Sequence, residues 1–376
     1  MRGASPTTGR KTPYDQGLMA IVLALLGFGL IMVFSASAVV SRELYDSQTW
    51  IFVRQLISVI VGLGALMLAM QFNYSFYSLR TVSYGLIFLS FTLLIYLLVV
   101  GPEGVRRWIH LGWVNFQPSE LAKLAIIIFT ARHLAIHGKQ FNDFKTSIFL
   151  YLSVVSPLVF LILIEPDLGT ALAISTTAGF LLFMGGLKYR YLLCVIGIAI
   201  PTLYLLVVRV PYRLNRILAF VDPDRDPYGI GYQIRQSLIA VGAGGWKGAG
   251  YAQSKQKLFF LPEPHTDFIY AVVGEELGLL GCMTLLVLFS LFFWRGVRIS
   301  LRADSLFGTY LGLGIVTMIV LQAFINMSVT VSLLPTKGLP LPFVSVGGSS
   351  MVITLLAVGI LLNISRVSSS NDRKFL

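Results

Sequence analysis

The chain has 376 residues, of which 56% are hydrophobic and only 12% are charged, and its mean hydropathy is +0.79. These values exclude a soluble globular domain and indicate a membrane protein with several spans. The formal net charge of +12 could suggest nucleic-acid binding, but lysines and arginines are scattered between apolar segments and form no basic stripe. The two cysteines each lie within an apolar run, which argues against a disulfide framework or a thiolate metal site.

Ten segments are long and apolar enough to be membrane-spanning helices, for which about 20 mainly apolar residues are needed. In chain order they are 17–38, 52–70, 80–100, 119–136, 147–164, 167–186, 190–208, 270–294, 305–330 and 348–365. Basic residues precede the first segment, as in a signal peptide. Its apolar stretch exceeds the roughly 7–15 residues of a signal sequence, which favours a retained helix. The sequence therefore predicts an all-α polytopic membrane protein with ten transmembrane helices.

The distribution of basic residues predicts the orientation of these ten helices. An even number of spans places both termini on one side, and the short segments on that side carry most of the lysines and arginines. Because basic residues are enriched in short cytoplasmic segments, we expect a cytoplasmic N-terminal tail at 1–16, a single membrane domain at 17–365 and a cytoplasmic C-terminal tail at 366–376. The long loop at 209–269, between helices 7 and 8, is then extracytoplasmic.

The long extracytoplasmic loop contains several local signals. Prolines and aspartates at 222–229 predict turns. The apolar segment 233–241 is too short to span a bilayer, so we expect an interfacial or re-entrant helix there. Five glycines at 242–250 predict close approach of the backbone to a ligand or another helix. The run 259–268 includes Asp267, a carboxylate at a water–lipid boundary, where an enzyme could reach a lipid-linked substrate.

Acidic residues also occur near the predicted outer ends of two helices. Glu120 and Lys123 are three residues apart on one helix, so an ion pair is the default interpretation and a proton relay is the alternative. The short turn at 165–167 leaves two more acids at the outer rim. A helix N-cap explains Asp167, whereas Glu165 has no such simple role.

Basic residues near the outer ends of the helices are candidates for binding a phosphorylated substrate. Lys337 precedes a Gly-Gly-Ser-Ser turn that includes Ser349, and exposed amides at a helix N-terminus bind anions such as a diphosphate. Arg107 is the other leading candidate, followed by Arg213 and Arg216 in the long loop. A divalent cation, Mg²⁺ or Mn²⁺, could bridge a diphosphate and the carboxylates, although the sequence offers no complete set of metal ligands.

The order of these motifs resembles the SEDS proteins (shape, elongation, division and sporulation) over nearly the whole chain, from about Gly17 to Ile364. The motifs that carry the resemblance are Arg106-Arg107-Trp108, Gln117-Pro118-Ser119-Glu120, Glu165-Pro166-Asp167-Leu168-Gly169, Gly231-Tyr232-Gln233 with Gln236-Ser237, His265-Thr266-Asp267-Phe268, Gly274-Glu275-Glu276-Leu277-Gly278 and the segment 335–350. Two short segments, 255–258 and 335–338, are more similar to the division type, FtsW, than to the elongation type, RodA.

The resemblance implies a peptidoglycan glycosyltransferase that polymerises lipid II, an undecaprenyl-diphosphate-linked sugar, for septal cell-wall synthesis in cell division. It assigns catalysis to Asp267, for which we predict a general-base role toward the 4-hydroxyl of the acceptor sugar. An α-linked donor that gives a β-linked product implies inversion without a covalent enzyme intermediate. The candidate substrate-binding residues are Arg107, Glu165, Gln233, Ser237, Lys337 and Ser349.

The resemblance also implies partners and a location. A class B penicillin-binding transpeptidase would pack its single-span helix on this chain, alongside other division proteins, in the cytoplasmic (inner) membrane at the division septum. Two alternatives remain open. A lipid II flippase or other transporter is compatible with ten spans, but it would concentrate polar residues near the bilayer midplane, and here they lie on the outer side. A non-catalytic division scaffold would leave Asp267 dispensable.

Overall fold

The structure is a computed structural model that describes residues 14–100, 107–111, 114–138, 149–165, 167–223, 226, 229–336 and 338–371. These ranges are mostly helical. The α-helices are α1 Gln16–Tyr45, α2 Trp50–Gln71, α3 Arg80–Val100, α4 Pro118–His137, α5 Phe149–Ile164, α6 Leu168–Met184, α7 Tyr189–Val208, α8 Pro211–Val221, α9 Ile230–Gly244, α10 Ile269–Leu301, α11 Leu306–Thr330 and α12 Gly348–Asn371. A 3₁₀ helix lies at Tyr74–Ser78, and strands β1 Ile109–Leu111 and β2 Val114–Phe116 form an antiparallel hairpin. The predicted helical class is confirmed, and the small hairpin is an addition to it.

Six helices in the described ranges are long and apolar enough to cross a membrane: α1, α2, α3, α10, α11 and α12. Shorter apolar helices occur in α5 and α6. Each of the ten predicted segments overlaps one of α1 to α7 or α10 to α12. Within the long loop, α9 occupies the segment for which a short helix was expected, whereas α8 was not predicted. These long apolar helices suit a multi-pass membrane protein.

Close packing between α2 and α12 depends on small residues. A Cβ added to Gly359 would lie 2.5 Å from the Leu66 carbonyl oxygen, and one added to Gly62 would lie 2.6 Å from the Leu355 side chain. Small residues at such contacts let membrane helices approach closely. The other central helix, α11, packs against α10, α4 and α6. This packing brings the N-terminal ends of α2, α4 and α12 and the C-terminal end of α11 toward the loop that precedes α10.

Helix α10 is broken at Gly278, whose φ of 64° and ψ of −160° are not helical. The glycine-rich segment after α9 packs against this break. A Cβ added to Gly248 would lie 2.1 Å from the Glu276 carbonyl oxygen, and the Ala249 N–H donates to the Glu275 carbonyl oxygen at 2.9 Å. The expected close approach of the backbone is therefore to another helix, and it fixes the start of α10.

Candidate functional site

A cavity of about 370 Å³ lies between the loop before α10, the β hairpin and the start of α12. We call it the Asp267 cavity. Its lining residues are Arg107, Trp108, Gln117, Glu120, Thr170, Glu263, Thr266, Asp267, Gly338, Leu339, Pro340, Val346, Gly347 and Ser350. More than half of these residues are polar or charged, and a concave site with convergent polar groups is typical of small-molecule binding.

The backbone at Asp267 is anchored by two neighbouring elements. Asn326 of α11 donates from its side-chain amide to the carbonyl oxygens of Asp267 and Leu339, each at 2.8 Å. The Ser345 hydroxyl donates to the Thr266 carbonyl oxygen at 2.6 Å. Because these carbonyl groups are bonded to rigid elements, the side chain of Asp267 projects from a fixed backbone, as preorganised chemistry requires.

The surroundings of Asp267 raise the pKa of its carboxyl to about 6. Burial is the largest cause, and the Glu263 carboxylate adds to it, while Arg216 and Arg107 act in the opposite direction. A carboxyl group with this pKa is ionised at neutral pH and is more basic than an ordinary aspartate, whose pKa is about 3.9. It is therefore suited to accept a proton from a hydroxyl group.

Arg107 lies immediately before the β hairpin and faces the same space as Asp267. Its Nε donates to the Glu165 carbonyl oxygen at 3.3 Å. A Cβ added to Gly338 would lie 3.2 Å from Asp267 Oδ2 and 3.7 Å from Arg107 Nη1. The carboxylate and the guanidinium thus flank the same side of Gly338, where the lack of a side chain leaves room between them.

Two arginines of α8 are also anchored near this cavity by backbone carbonyl groups. Arg213 Nη2 donates to the Leu163 carbonyl oxygen at 2.8 Å, and Arg216 Nη1 donates to the Thr336 carbonyl oxygen at 3.1 Å. As candidates for binding a phosphorylated substrate, both arginines were placed below Lys337. Lys337 lies outside the described residues. Helix α8, which was not predicted, carries both arginines, and it begins at a proline, which suits the first turn of a helix.

Glu165 is completely buried, and neither of its carboxylate oxygens has a hydrogen-bond partner in the described ranges. Burial, with the nearby Asp167 carboxylate, raises the pKa of Glu165 to about 8, which Arg107 offsets only in part. Glu165 is therefore protonated at neutral pH. Asp167 instead accepts hydrogen bonds from the Thr170 N–H and hydroxyl and caps α6, as predicted.

The predicted ion pair between Glu120 and Lys123 forms in the structure, with Lys123 Nζ 2.9 Å from Glu120 Oε1 and both side chains buried. Lys123 also donates to Gln322 Oε1 at 2.8 Å, and the Gln322 amide donates to the Pro340 carbonyl oxygen at 2.9 Å. The pair therefore connects α4 with α11 and with the segment that follows Gly338. The Glu120 carboxylate of this pair also lies on the wall of the Asp267 cavity. The position of Glu120 in the sequence did not indicate this.

The other predicted substrate-binding residues, Ser349, Ser237 and Gln233, do not lie together in one site. Ser349 is buried, and its Oγ accepts a hydrogen bond from the Gln117 N–H at 3.1 Å, so it supports a residue of the cavity wall. Ser237 donates to the Thr330 carbonyl oxygen at 2.7 Å, in the contact between α9 and α11. Gln233 is partly buried on α9. Neither side chain of α9 is on the wall of the Asp267 cavity.

A second cavity, of about 400 Å³, adjoins the first. Both cavities are lined by Trp108, Glu263, Thr266, Val346 and Gly347. Beyond this shared wall the second cavity extends between the end of α1 and the start of α2, and we call it the Arg54 cavity. Its other lining residues are Val40, Leu44, Tyr45, Ile51, Arg54, Gln55, Ile57, Ser58, Asn115, His265 and Gly348. They come from distant parts of the chain, and sequence reasoning did not detect this site.

A buried polar network lies beside the break in α10, outside both cavities. Lys257 Nζ lies 2.8 Å from Glu276 Oε1 and also donates to Ser35 Oγ and to the Ala252 carbonyl oxygen. Glu276 accepts further bonds from the Ser35 hydroxyl and the Ala252 N–H. The neighbouring Glu275 accepts from the backbone N–H of residues 255 and 256. We call this the Lys257 network; it joins α1 and α10 to the loop that leads to Asp267.

Within the described ranges, no group of three or more His, Cys, Asp or Glu side chains is arranged to hold a metal ion. The wall of the Asp267 cavity carries the carboxylates of Glu120, Glu263 and Asp267 together with Arg107. The bridging divalent cation therefore stays a prediction, for which the described side chains offer no complete set of ligands.

Comparison with known proteins gives consistent matches. The cell cycle protein family FtsW/RodA/SpoVE matches residues 16–370. The chain is 43% identical to the "Probable peptidoglycan glycosyltransferase FtsW" of Geobacter metallireducens, over 94% of each chain. It is 41% identical to stage V sporulation protein E of Bacillus subtilis, over 96% of this chain and 99% of that protein.

Solved structures with the same fold include a chain of a peptidoglycan synthase complex described for the coordination of polymerization and crosslinking. That chain has a TM-score of 0.77 and 29% identity, over 94% of this chain and 98% of that one. The rod shape determining protein RodA of Thermus thermophilus has a TM-score of 0.69 and 27% identity, over 94% of this chain and 97% of that one.

Proposed function

Because the chain belongs to the FtsW/RodA/SpoVE family of cell cycle proteins, we propose that it is a peptidoglycan glycosyltransferase that polymerises lipid II at the outer face of the cytoplasmic membrane. The observation that carries this proposal is a half-buried carboxylate, Asp267, which shares a cavity wall with Arg107. The names of the FtsW relatives support the reaction class. Because FtsW is the division type of the family, the same names support a septal setting.

In the proposed reaction Asp267 acts as general base. It accepts the proton of the acceptor 4-hydroxyl while that oxygen attacks the anomeric carbon of the donor. The new glycosidic C–O bond forms as the bond to the diphosphate breaks, and polyprenyl diphosphate leaves with the electron pair. Attack from the face opposite the leaving group inverts the anomeric carbon, so no covalent enzyme intermediate is needed.

The cations around the Asp267 cavity would stabilise the leaving diphosphate. Arg107 and Arg216 both influence the pKa of Asp267, which means that their charges act within the same site. Guanidinium groups bind phosphate oxygens through paired N–H donors. Lys337, next to Gly338, is proposed as a further cation, while Ser349 supports the cavity wall. Preorganised positive charge of this kind lowers the barrier by stabilising charge that develops in the transition state.

The proposed topology has ten membrane crossings, formed by α1 to α7 and α10 to α12, with both termini in the cytoplasm. The segment from α8 to the loop at Asp267 then lies on the outer side, where lipid II sugars and diphosphate are exposed. A class B penicillin-binding transpeptidase is the proposed partner, since the structurally similar chain belongs to a complex that coordinates polymerization and crosslinking.

Glycan polymerisation by the purified chain, alone and with its transpeptidase, tests this function. Asp267→Asn keeps the size of the side chain and removes the base, so we expect the rate to fall by about 10²–10⁴-fold with an unchanged melting temperature. In the wild type, kcat/KM should fall as pH drops below about 6, because the base becomes protonated. Equal rates for wild type and Asp267→Asn would reject Asp267 as the base and favour transport or scaffolding.

A further inference from the structure

We propose that two arginines, at the start of α3 and near the end of α4, bind the headgroup of an anionic phospholipid of the cytoplasmic leaflet. The site is formed by Arg80, Tyr84 and Arg132, and we call it the Tyr84 site. It lies at the opposite end of α4 from Glu120 and has no part in the proposed reaction. The inference therefore goes beyond the proposed function and uses only the proposed topology, in which α3 begins and α4 ends at the cytoplasmic face.

Both guanidinium groups of the Tyr84 site lie over one aromatic ring. The Arg80 Cζ is 5.7 Å from the centre of the Tyr84 ring, and the Arg132 Cζ is 5.6 Å from it. Phe129 packs edge to face against the same ring, with ring centres 5.4 Å apart. Arg132 Nε also donates to the Ser78 carbonyl oxygen at 2.9 Å. The ring and one guanidinium group are therefore held in place by the protein itself.

The two positive charges of the Tyr84 site have no counter-ion among the residues that the structure describes. Neither Arg80 nor Arg132 forms an ion pair there, and the Tyr84 hydroxyl forms no hydrogen bond with a described residue. Like charges that are held close together repel, and an anion bound by both removes that repulsion. Two guanidinium groups and a hydroxyl are donors that suit the oxygens of a phosphate.

A similar group of side chains at the end of α10 is already neutralised in part. The Cζ atoms of Arg295 and Arg298 are each 5.8 Å from the centre of the Trp294 ring. There, however, Arg295 Nη1 lies 2.9 Å from Asp15 Oδ1. The protein thus supplies a carboxylate for one of these two charges, whereas the described chain supplies none at the Tyr84 site. This difference favours a ligand as the counter-ion of the Tyr84 site.

The surroundings of the Tyr84 site favour a lipid over a free phosphate. Arg80, Tyr84 and Phe88 are spaced four residues apart on α3, so they lie along one face of the helix. Phe88 is 72% exposed, and it lies about 12 Å farther along the helix than Arg80. A phosphate bound by the arginines therefore has an apolar surface beside it for an acyl chain. Basic pockets between helices on the cytoplasmic side are typical sites for anionic headgroups.

Titration of the delipidated full-length protein in detergent with dioleoylphosphatidylglycerol, followed by native mass spectrometry, tests the site. Arg80→Gln combined with Arg132→Gln removes both charges. We expect this double variant to raise the Kd of the tightest phosphatidylglycerol about 30-fold, because each basic residue near a membrane surface contributes about fivefold. Arg80→Lys combined with Arg132→Lys keeps the charges and should retain most of the binding. Arg298→Gln, from the group around Trp294, is the matched control and should leave this Kd unchanged.

Three outcomes of the titration would overturn the proposal. The first is an equal Kd for the wild type and the double glutamine variant. The second is equally tight binding of dioleoylphosphatidylcholine, which has no net charge. The third is displacement of the lipid by sodium phosphate at the same concentration, which would make this a site for free phosphate. If melting curves showed the double glutamine variant to be unfolded, Arg80→Gln alone, at an exposed side chain, should still raise Kd about fivefold.

Photolabelling locates the bound lipid without any catalytic step. Phosphatidylglycerol that carries a diazirine in one acyl chain should label α3 around Phe88 in the wild type, and the double glutamine variant should lose most of that label. Label confined to other helices would contradict the site. If the protein polymerised no lipid II but showed this charge-dependent binding, the proposed transferase function would fail and the Tyr84 site would stand.

Discussion

The Lys257 network and the surroundings of the Asp267 cavity both contain buried carboxylates, but these carboxylates differ in their hydrogen-bond partners. In the network, Glu276 is bonded to Lys257, to a hydroxyl and to a backbone N–H. Around the cavity, Glu165 has no hydrogen-bond partner in the described ranges, and the pKa of Asp267 is raised to about 6. Burial alone therefore does not mark a functional acid in this protein.

The difference lies in what each region gains from its charges. A carboxylate whose lone pairs are all bonded holds elements together, and it has no capacity left for a substrate. A carboxylate that is buried with fewer partners is destabilised as an anion, which makes it a better base or keeps it neutral. Groups of the second kind are retained where function requires them. The comparison predicts that the network controls folding and that the cavity controls rate.

Removal of the network cation should have the largest effect on stability. Lys257→Met leaves the Glu276 carboxylate buried without its charge partner, so we expect a loss of about 3–5 kcal/mol in the free energy of unfolding. Thermal melting in detergent, followed by size-exclusion chromatography, measures this loss. Adding Glu276→Gln to Lys257→Met should recover part of it, because the uncompensated charge is removed.

Lys255→Met is the matched control, since the Lys255 side chain is exposed in the same loop. It should change stability by less than about 0.5 kcal/mol. If Lys257→Met melted like this control but lost polymerisation activity, the network would be a functional site, and the contrast with the cavity would break down.

Neutralising Glu165 should change the free energy of unfolding by a smaller amount and in the opposite direction, toward greater stability. The pKa of Glu165 is raised to about 8 in the fold and is about 4.3 when unfolded, so its burial costs stability progressively as pH rises between these values. Glu165→Gln removes that cost. We expect equal melting temperatures near pH 4 and a growing advantage for the variant up to about pH 8, amounting to a few kcal/mol.

Parallel melting curves for wild type and Glu165→Gln across this range would mean that Glu165 is ionised and bound to a partner. The kinetics of glycan polymerisation distinguish a role of Glu165 in substrate binding from a structural one. If Glu165 contacts substrate as a carboxylate, Glu165→Gln should raise KM at pH 8. A change in stability with an unchanged KM would make Glu165 a structural acid held neutral by the fold.

Replacement of Ser237 should have the smallest effect on stability, confined to one contact between two helices. Its hydroxyl donates to the Thr330 carbonyl oxygen, so Ser237→Ala should cost about 1 kcal/mol of stability through the contact between α9 and α11. The predicted role in substrate binding instead requires an increased KM for lipid II. Ser254→Ala, which removes a buried hydroxyl from the Lys257 network, is the comparison for a purely structural serine.

The features that the sequence predicted well are those that depend on local spacing. Runs of about 20 apolar residues identified the long helices, and the spacing of three residues identified the pair of Glu120 and Lys123. The cap at Asp167 was also predictable, because its partner Thr170 is only three residues away. Local spacing suffices whenever both members of an interaction lie within one turn of a helix.

Features that depend on distant contacts were not predictable in the same way. The Arg54 cavity is formed by residues from α1, α2, the hairpin, the loop before α10 and the start of α12, and no short motif contains them. The glycines at 242–250 indicated close approach, but only the structure identified the broken α10 as the partner. Likewise, the burial of Glu165 depends on the packing around it rather than on its neighbours in the chain.

Gln55, on the wall of the Arg54 cavity, donates to the Ser345 carbonyl oxygen and accepts from the Gly347 N–H, and these two bonds have a consequence for biosynthesis. Its partners, Ser345 and Gly347, follow it by 290 and 292 residues, which at about 5–20 residues per second takes roughly 15–60 s to synthesise. During that interval the buried amide has neither of these partners. The wall of the Arg54 cavity and the turn that anchors the loop at Asp267 can therefore form only after the segment that precedes the last helix has been made, so the proposed polymerisation must wait until synthesis of the chain is nearly complete.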